Sequence, residues 1–175
     1  MPVTTLVSPE EYMQTVYHPD REYADGVLVG RNAGTQLHSL LQMIIAAYLY
    51  QFQRKFHFKV LPECRLRMGD RRYVIPDVMI VEEPFTRGKV ITDVPAVVFE
   101  IQSPDDKLDD VFQKCLQYSI IGVQNIIVLD PKCQRAYVFA DQAMQVVTSI
   151  ILHLPKSGTD LPLPVAAMFA ELTED

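Results

Sequence analysis

The sequence predicts an α/β protein of the α+β type, in which helices flank a mixed β-sheet. A broad apolar stripe at three- and four-residue steps predicts a long helix between Leu37 and Phe52. Two short apolar runs, 96–101 and 125–129, predict buried strands. Because strands and helices do not alternate strictly along the chain, a mixed sheet is favoured over a parallel one.

Size and composition indicate one globular unit. The chain has 175 residues, 49% of them hydrophobic and 22% charged, and we expect a single domain over 1–175. No apolar run reaches the roughly 18 residues of a membrane span, and the start MPVTTLVSPEEY lacks the basic and apolar segments of a signal peptide. The three cysteines are an odd number with wide spacing, which suits neither a disulfide framework nor a zinc site. We therefore expect a cytoplasmic protein with no membrane partner.

Caps and turns predict the elements of the first half. Ser8-Pro9 predicts a helix start, and Asp25-Gly26 predicts a type I′ turn between strands at 21–24 and 27–31. Extended segments are predicted at 58–61, 64–68 and 72–81, the last with a bulge or an edge position at Pro76.

The second half is predicted to contain a second main helix between two buried strands. This helix is expected to start at Ser103-Pro104-Asp105-Asp106 and to end at Gly122 in a left-handed cap, with Cys115 buried on its apolar stripe. A strand at 135–139 is expected to pair with 125–129. A weak strand near 146–152 and a short helix after Pro164 complete the chain.

Two acidic residues lie at the ends of predicted buried strands. Asp77 starts one strand, and Glu100 lies at the end of the next. If these strands pair antiparallel, the two carboxylates meet at one edge of the sheet. They repel each other there, which favours a bound cation, and a few hard oxygen ligands suit Mg²⁺ or Mn²⁺. The alternative is that Asp77 caps a turn and Glu100 pairs with a nearby lysine or arginine.

Polar residues follow one flank of the second main helix. The residues that recur at helical spacing are Lys107, Asp110, Lys114 and Tyr118. A lysine on this flank can reach back over the end of the Glu100 strand. In phosphodiester cleavage it would orient the attacking water or stabilise the charged transition state. An ordinary salt-bridged helix surface is the competing interpretation. His38, on the first long helix, is interpreted as a structural hydrogen-bonding residue.

The order and spacing of several motifs also resemble a known family. The strings VPAVVFEIQSP, DVFQK, IIVLDP and LPLPVAAMFAEL follow one another along the chain. The other matching positions are Glu22, Asp25-Gly26, His38, Pro76-Asp77, Tyr118 and Gly122-Val123. Together they resemble the Uma-type family of predicted restriction endonucleases, within the PD-(D/E)xK nuclease superfamily.

This resemblance implies a restriction-endonuclease-like fold and a divalent-metal-dependent endonuclease that hydrolyses DNA phosphodiester bonds. It implies that Asp77, Glu100 and the backbone carbonyl of Ile101 hold Mg²⁺ or Mn²⁺. It also implies that Glu22 is an additional acidic residue of the site.

The chain departs from the superfamily pattern at one position. The superfamily lysine normally stands two residues after the second acid, where this chain has Gln102. Gln102 can orient a water but carries no positive charge. The resemblance implies that Lys114 takes over the role of the missing lysine, with Gln102 in support.

The expected partner is DNA. The net charge of −6 mildly disfavours non-specific binding to nucleic acid, but seven basic residues lie between Arg54 and Arg72. The part from Arg65 to Arg72 is a candidate for contacts with the DNA backbone, although a solvated hairpin face explains it equally well. A homodimer is expected because two strands need cutting. A catalytically weakened binding module and a structural oligomerisation module stay open as alternative functions.

Overall fold

Helices and strands are mixed along the chain, as the predicted α+β class requires. The computed structural model describes residues 6–32 and 34–173. Within these ranges the helices are α1 (Pro9–Gln14), α2 (Gln36–Tyr50), α3 (Leu108–Ile120) and α4 (Val165–Glu171). The strands are β1 (Arg21–Ala24), β2 (Val27–Gly30), β3 (Phe58–Pro62), β4 (Leu66–Arg67), β5 (Arg72–Val74), β6 (Val78–Glu82), β7 (Val97–Ile101), β8 (Asn125–Asp130), β9 (Arg135–Ala140), β10 (Ala143–Val147), β11 (Ile150–Leu154) and β12 (Thr159–Leu163).

The strands form three sheets. The central six-stranded sheet has the order β10-β9-β8-β7-β6-β3, in which β7 and β8 run parallel and every other neighbouring pair is antiparallel. A four-stranded sheet has the order β2-β1-β5-β4, and β11 pairs with β12 in a hairpin. The predicted mixed sheet with flanking helices is therefore confirmed.

The two faces of the central sheet carry separate apolar clusters. Because side chains alternate along a strand, Val97 and Phe99 pack on one face with α2, α4 and the β11–β12 hairpin. Val98 packs on the other face with α3, through Cys115 and Tyr118. Glu100, two residues after Val98, consequently belongs to the face that α3 covers.

The four-stranded sheet is anchored by tyrosines. Tyr23 and Tyr73 pack with Tyr12 of α1 on one of its faces. By the same alternation, Glu22 and Arg72 belong to its opposite face. Both residues line the cleft that α3 borders.

Several local predictions are confirmed. Ser8 caps α1 by accepting the N–H of Glu11 at 3.1 Å. Asp25 and Gly26 have φ of 47° and 93°, as the hairpin turn requires, and Gly122 ends α3 with φ of 96°. Cys115 is fully buried, as expected.

The predicted strand 72–81 is wrong as a single element. It divides into β5 and β6, which belong to different sheets. Pro76 has no N–H to offer a ladder, and the N–H of Ile75 donates instead to Glu22 Oε1 at 3.0 Å. This break is what places Asp77 between the two sheets.

Two further boundaries differ from the prediction. The helix expected from Ser103 begins at Leu108, because Asp106 Oδ2 accepts the N–H of Ser103 and holds 103–106 as a turn. The weak strand expected at 146–152 spans the end of β10 and the start of β11, and a third strand, β12, follows it.

The ends of the chain lie outside the part that the structure describes. Residues 1–5, on which the expectation of no signal peptide partly rests, lie outside the described residues, as do 174–175. Across 6–32 and 34–173, none of the helices combines the length and apolar character needed to cross a lipid bilayer.

A buried carboxylate fastens the β11–β12 hairpin to the central sheet. Glu82, at the end of β6, accepts the backbone N–H groups of Lys156 and Ser157, each at 2.9 Å. We predict that Glu82→Ala destabilises the protein by about 3 kcal/mol, because two N–H groups lose a charged acceptor. Glu83→Ala, which removes only a partly exposed pair with Lys59, is the matched control and should cost under about 1 kcal/mol. Urea unfolding measures both, and equal losses would contradict this assignment.

Candidate active site

A cleft of about 590 Å³ lies between the four-stranded sheet and α3. Its walls include Glu22 from β1, Glu100 from β7 and Lys114 from α3, with Asp77 entering just before β6. The antiparallel pairing of β6 with β7 sets Val78 opposite Phe99, so Asp77 lies beside the Glu100 end of β7. The predicted meeting of two strand ends thus occurs at this cleft.

Glu100 is held by two side chains from α3. Tyr118 donates its hydroxyl to Glu100 Oε1 at 2.5 Å, and Lys114 Nζ lies 3.0 Å from Oε2. Lys114 and Tyr118 share one face of the helix because they are four residues apart. Burial raises the pKa of Glu100 to about 7, against the opposing charge of Lys114.

Lys114 bridges two carboxylates from different sheets. Its Nζ also lies 2.9 Å from Oε1 of Glu22, the same oxygen that accepts the N–H of Ile75. Burial acts to lower the pKa of Lys114, but the charges of Glu100, Glu22 and Asp77 outweigh it and raise the pKa. The ammonium group therefore stays charged in the cleft.

Asp77 is only 5% exposed and has donors on both oxygens. Oδ2 accepts the backbone N–H of Ile101 at 2.7 Å and lies 3.3 Å from His38 Nε2, while Oδ1 lies 3.2 Å from Arg31 Nη2. Burial acts to raise the pKa of Asp77. The bond with His38, the charge of Lys114 and the Ile101 N–H outweigh burial and lower the pKa. Asp77 is consequently an anion at neutral pH.

The structure brings most of the predicted site residues together. Those that line the cleft are Glu22, Asp77, Glu100, Ile101 and Lys114. Gln102 is not among its lining residues in the described chain, and its backbone N–H donates to Leu129 across the β7–β8 pair. The competing interpretation, that Glu100 pairs with a nearby lysine, also describes the geometry, since Lys114 is that lysine.

The sequence does not predict the three contacts that hold Asp77. His38, interpreted as a structural hydrogen-bonding residue, reaches Asp77 from the first turn of α2. Arg31, just after β2, is not indicated by any sequence pattern. Gln42, one turn after His38, adds a bond from Nε2 to the backbone oxygen of Asp77 at 2.9 Å. The four-residue spacing of His38 and Gln42 beside the apolar stripe was the one available signal.

The basic segment proposed for DNA contacts is mostly paired with carboxylates. Arg65, Arg67 and Arg71 form ion pairs with Asp20, Asp70 and Asp25 respectively. Among the basic residues from Arg65 to Arg72, all of which the structure describes, Arg72 alone lines the cleft.

The donor set of the cleft suits a magnesium-like ion. No group of three or more His, Cys, Asp or Glu side chains in residues 6–32 and 34–173 is arranged to hold a metal ion. Two carboxylates are nevertheless sufficient for Mg²⁺, which keeps several waters and commonly takes one or two protein carboxylates. Asp77 and Glu100 are hard oxygen donors of this kind, so the residues present fit such an ion.

Comparison with known proteins identifies the family. The family model described as "Uma2: Putative restriction endonuclease" matches residues 9–167, and the chain belongs to this family. The predicted resemblance is thus confirmed. No match among curated proteins reaches significance.

A solved structure shows the same fold. The crystal structure of a putative nuclease belonging to DUF820 from Anabaena variabilis superposes with a TM-score of 0.79 at 20% identity, covering 95% of this chain and 99% of that one. The cryo-EM structure of a DrdV–DNA complex gives a TM-score of 0.40 at 17% identity, covering 73% of this chain and 10% of that one. The first likeness establishes the fold, and the second is too low to define one.

The raised pKa of Glu100 predicts a pH dependence of stability. The folded protein holds this proton more tightly than the unfolded chain, whose ordinary value is 4.5. The contribution of Glu100 is therefore fully present below pH 4.5 and is lost as pH rises through about 7. With a chelator present, the free energy of unfolding of the wild type relative to Glu100→Gln should fall over this window, on the order of 3 kcal/mol. Urea unfolding at several pH values measures it. A flat or rising difference would show that burial does not control this carboxyl group.

Proposed function

We propose that this protein is a divalent-metal-dependent endonuclease that hydrolyses phosphodiester bonds of DNA. The observation that carries the proposal is the convergence of Asp77, Glu100 and Glu22 on one cleft, with the charged Lys114 among them. Membership of the Uma2 family and the nuclease-like fold support it.

In this proposal Asp77 and Glu100 hold Mg²⁺ or Mn²⁺, with the carbonyl of Ile101 as a further ligand. Such an ion, when bound, polarises the phosphodiester and lowers the pKa of a bound water. Neighbouring side chains and one backbone N–H orient these two carboxylates. Arg31, His38 and the Ile101 N–H fix the orientation of the Asp77 carboxylate, and Tyr118 fixes one oxygen of Glu100.

Lys114 supplies positive charge at the reacting phosphate. Its ammonium group has three N–H donors, and two of them are engaged by Glu22 and Glu100. The remaining donor is available to a water or to a phosphate oxygen. Glu22 positions Lys114, because it binds the ammonium group from the four-stranded sheet. Since Gln102 does not line the cleft, we assign the charge to Lys114 alone and give Gln102 no direct part in cleavage.

The proposal extends to domain organisation, oligomeric state and location. We propose that the chain acts as a single domain, as a homodimer and in the cytoplasm. A two-fold dimer presents two cleavage sites to the two strands of DNA.

A second candidate function is a nucleic-acid or protein binding module on a catalytically weakened nuclease fold. Two observations favour it. Gln102 stands where the superfamily has a lysine. Lys114 is bound to two carboxylates, and its positive charge reduces the negative charge that would attract a metal ion. Binding of DNA without metal-dependent cleavage by the wild type would support this candidate.

Metal binding is the first prediction of the proposed function. Titration calorimetry with Mg²⁺ and Mn²⁺ should show a site in the wild type that Glu100→Gln weakens by about tenfold or more, because one ionic ligand is lost. Asp70→Asn, at an exposed carboxylate paired with Arg67, is the control and should bind as the wild type does. Unchanged affinity in Glu100→Gln would remove Glu100 from the ligand set.

DNA cleavage is the second prediction. With Mg²⁺ or Mn²⁺ and plasmid DNA, Lys114→Met should lower the cleavage rate by about 10²–10³, the usual effect of losing one group that stabilises transition-state charge. Asp77→Asn should abolish cleavage. Lys107→Met, at an exposed lysine on the rim of the same cleft, serves as the matched control and should change the rate little. If Asp77→Asn cleaved as the wild type does, the site would be wrongly assigned.

A further inference from the structure

Three buried polar side-chain atoms in the described residues have no hydrogen-bond partner, and all three belong to residues that line the same cleft. They are His38 Nδ1, Arg72 Nε and Gln117 Oε1. Buried polar atoms are nearly always paired in folded proteins, so unpaired ones concentrated in one cleft indicate a missing ligand or water. His38 already contacts Asp77, whereas Arg72 and Gln117 take no part in the carboxylate site.

Arg72 differs from its basic neighbours in having no carboxylate partner among the described residues. Arg71, next in the chain, pairs with Asp25 and points to solvent with a side chain 60% exposed. Arg72 belongs to the opposite face of the four-stranded sheet, the one that carries Glu22, and it lines the cleft. Among the ion pairs of the described residues, Glu22 is joined to Lys114 and not to Arg72.

Gln117 comes from the wall that faces this sheet. It lies on α3 three residues after Lys114, which is about 4.5 Å further along the helix. The acidic residue of the cleft on this helix, Asp110, lies about 10 Å back toward the N-terminus. Gln117 is therefore farther along the helix from this carboxylate than Lys114 is.

The chemistry of these two side chains selects a phosphate group. The guanidinium group of Arg72 is always charged and has only donors, and a planar group of this kind suits the oxygens of a phosphate. Rotation of the Gln117 amide by 180° exchanges its oxygen with its NH₂, so this side chain can donate as well.

We propose that Arg72 and Gln117 form a second phosphate subsite, which holds a backbone phosphate next to the one at the carboxylate site. This inference rests on the proposed nuclease function and adds a contact that orients the strand before cleavage. Arg72 is a positioning residue here, since it touches a phosphate that does not react.

The first arm of the test uses inorganic phosphate and the metal-free, full-length protein. Proton–nitrogen NMR of the arginine Nε–H groups should show a saturable shift at Arg72 as phosphate is added. Arg72→Gln should weaken phosphate binding about tenfold, and Arg71→Gln, at the exposed neighbour, should leave it unchanged. Absence of a shift at Arg72, or equal binding by Arg72→Gln and the wild type, would overturn the proposal.

A structural role for Arg72 predicts a different result. If Arg72 only supported the fold, Arg72→Gln would lower the unfolding temperature. If Arg72 is instead a ligand-binding residue whose buried N–H is unpaired, Arg72→Gln should leave the unfolding temperature unchanged or raise it. A lowered temperature together with unchanged phosphate binding would contradict the subsite.

The second arm separates a DNA phosphate from a free phosphate ligand. In the Asp77→Asn background, which prevents cleavage, Arg72→Gln should weaken binding of a short DNA duplex about tenfold. It should also reduce the slope of log affinity against log salt by about one. Loss of phosphate binding with unchanged DNA binding would overturn the backbone assignment. Asp77→Asn alone should bind phosphate as the wild type does. The phosphate subsite is therefore tested separately from the proposed cleavage function.

Discussion

One buried ammonium group connects the parts of this site. Lys114 on α3 binds Glu22 in the four-stranded sheet and Glu100 in the central sheet, so a single side chain fixes how the two sheets meet at the cleft. Removal of one member of a buried ion pair typically costs about 3–5 kcal/mol, because the other charge is left uncompensated. In the proposed function, the same charge that joins the two sheets also acts on the substrate phosphate.

The two principal carboxylates have different environments, and this difference divides their roles. Burial is opposed at Asp77 by His38, Lys114 and a backbone N–H, which lower its pKa, whereas burial dominates at Glu100 and raises its pKa. Asp77 is consequently an anion at neutral pH. Glu100 changes charge near neutral pH unless a cation stabilises its ionised form. An ion bound between them would therefore meet one fixed ligand and one that its own charge helps to ionise.

The sequence was most informative where the signal was local or periodic. The cap at Ser8, the Asp25-Gly26 turn and the apolar stripe of α2 depend on neighbouring residues, and the structure has all three. Asp77 and Glu100 were recognisable because a charge on an otherwise apolar strand is unusual. The contacts of His38 and Arg31 with Asp77 were not predicted, because they join residues 39 and 46 positions apart in sequence. The division of 72–81 also depended on a distant group, the carboxylate of Glu22 that captures the Ile75 N–H.

The central claim is that Asp77 and Glu100 together bind a catalytic divalent ion beside Lys114. Its most direct test is a crystal structure of the protein grown with Mn²⁺, with the ion located by anomalous scattering. We expect a manganese peak within coordination distance of both carboxylates, with Lys114 still bound to Glu22. A manganese peak only at another site would contradict this claim. So would a crystal with DNA bound in which the cleft holds no Mn²⁺ and Lys114 keeps both of its carboxylate partners.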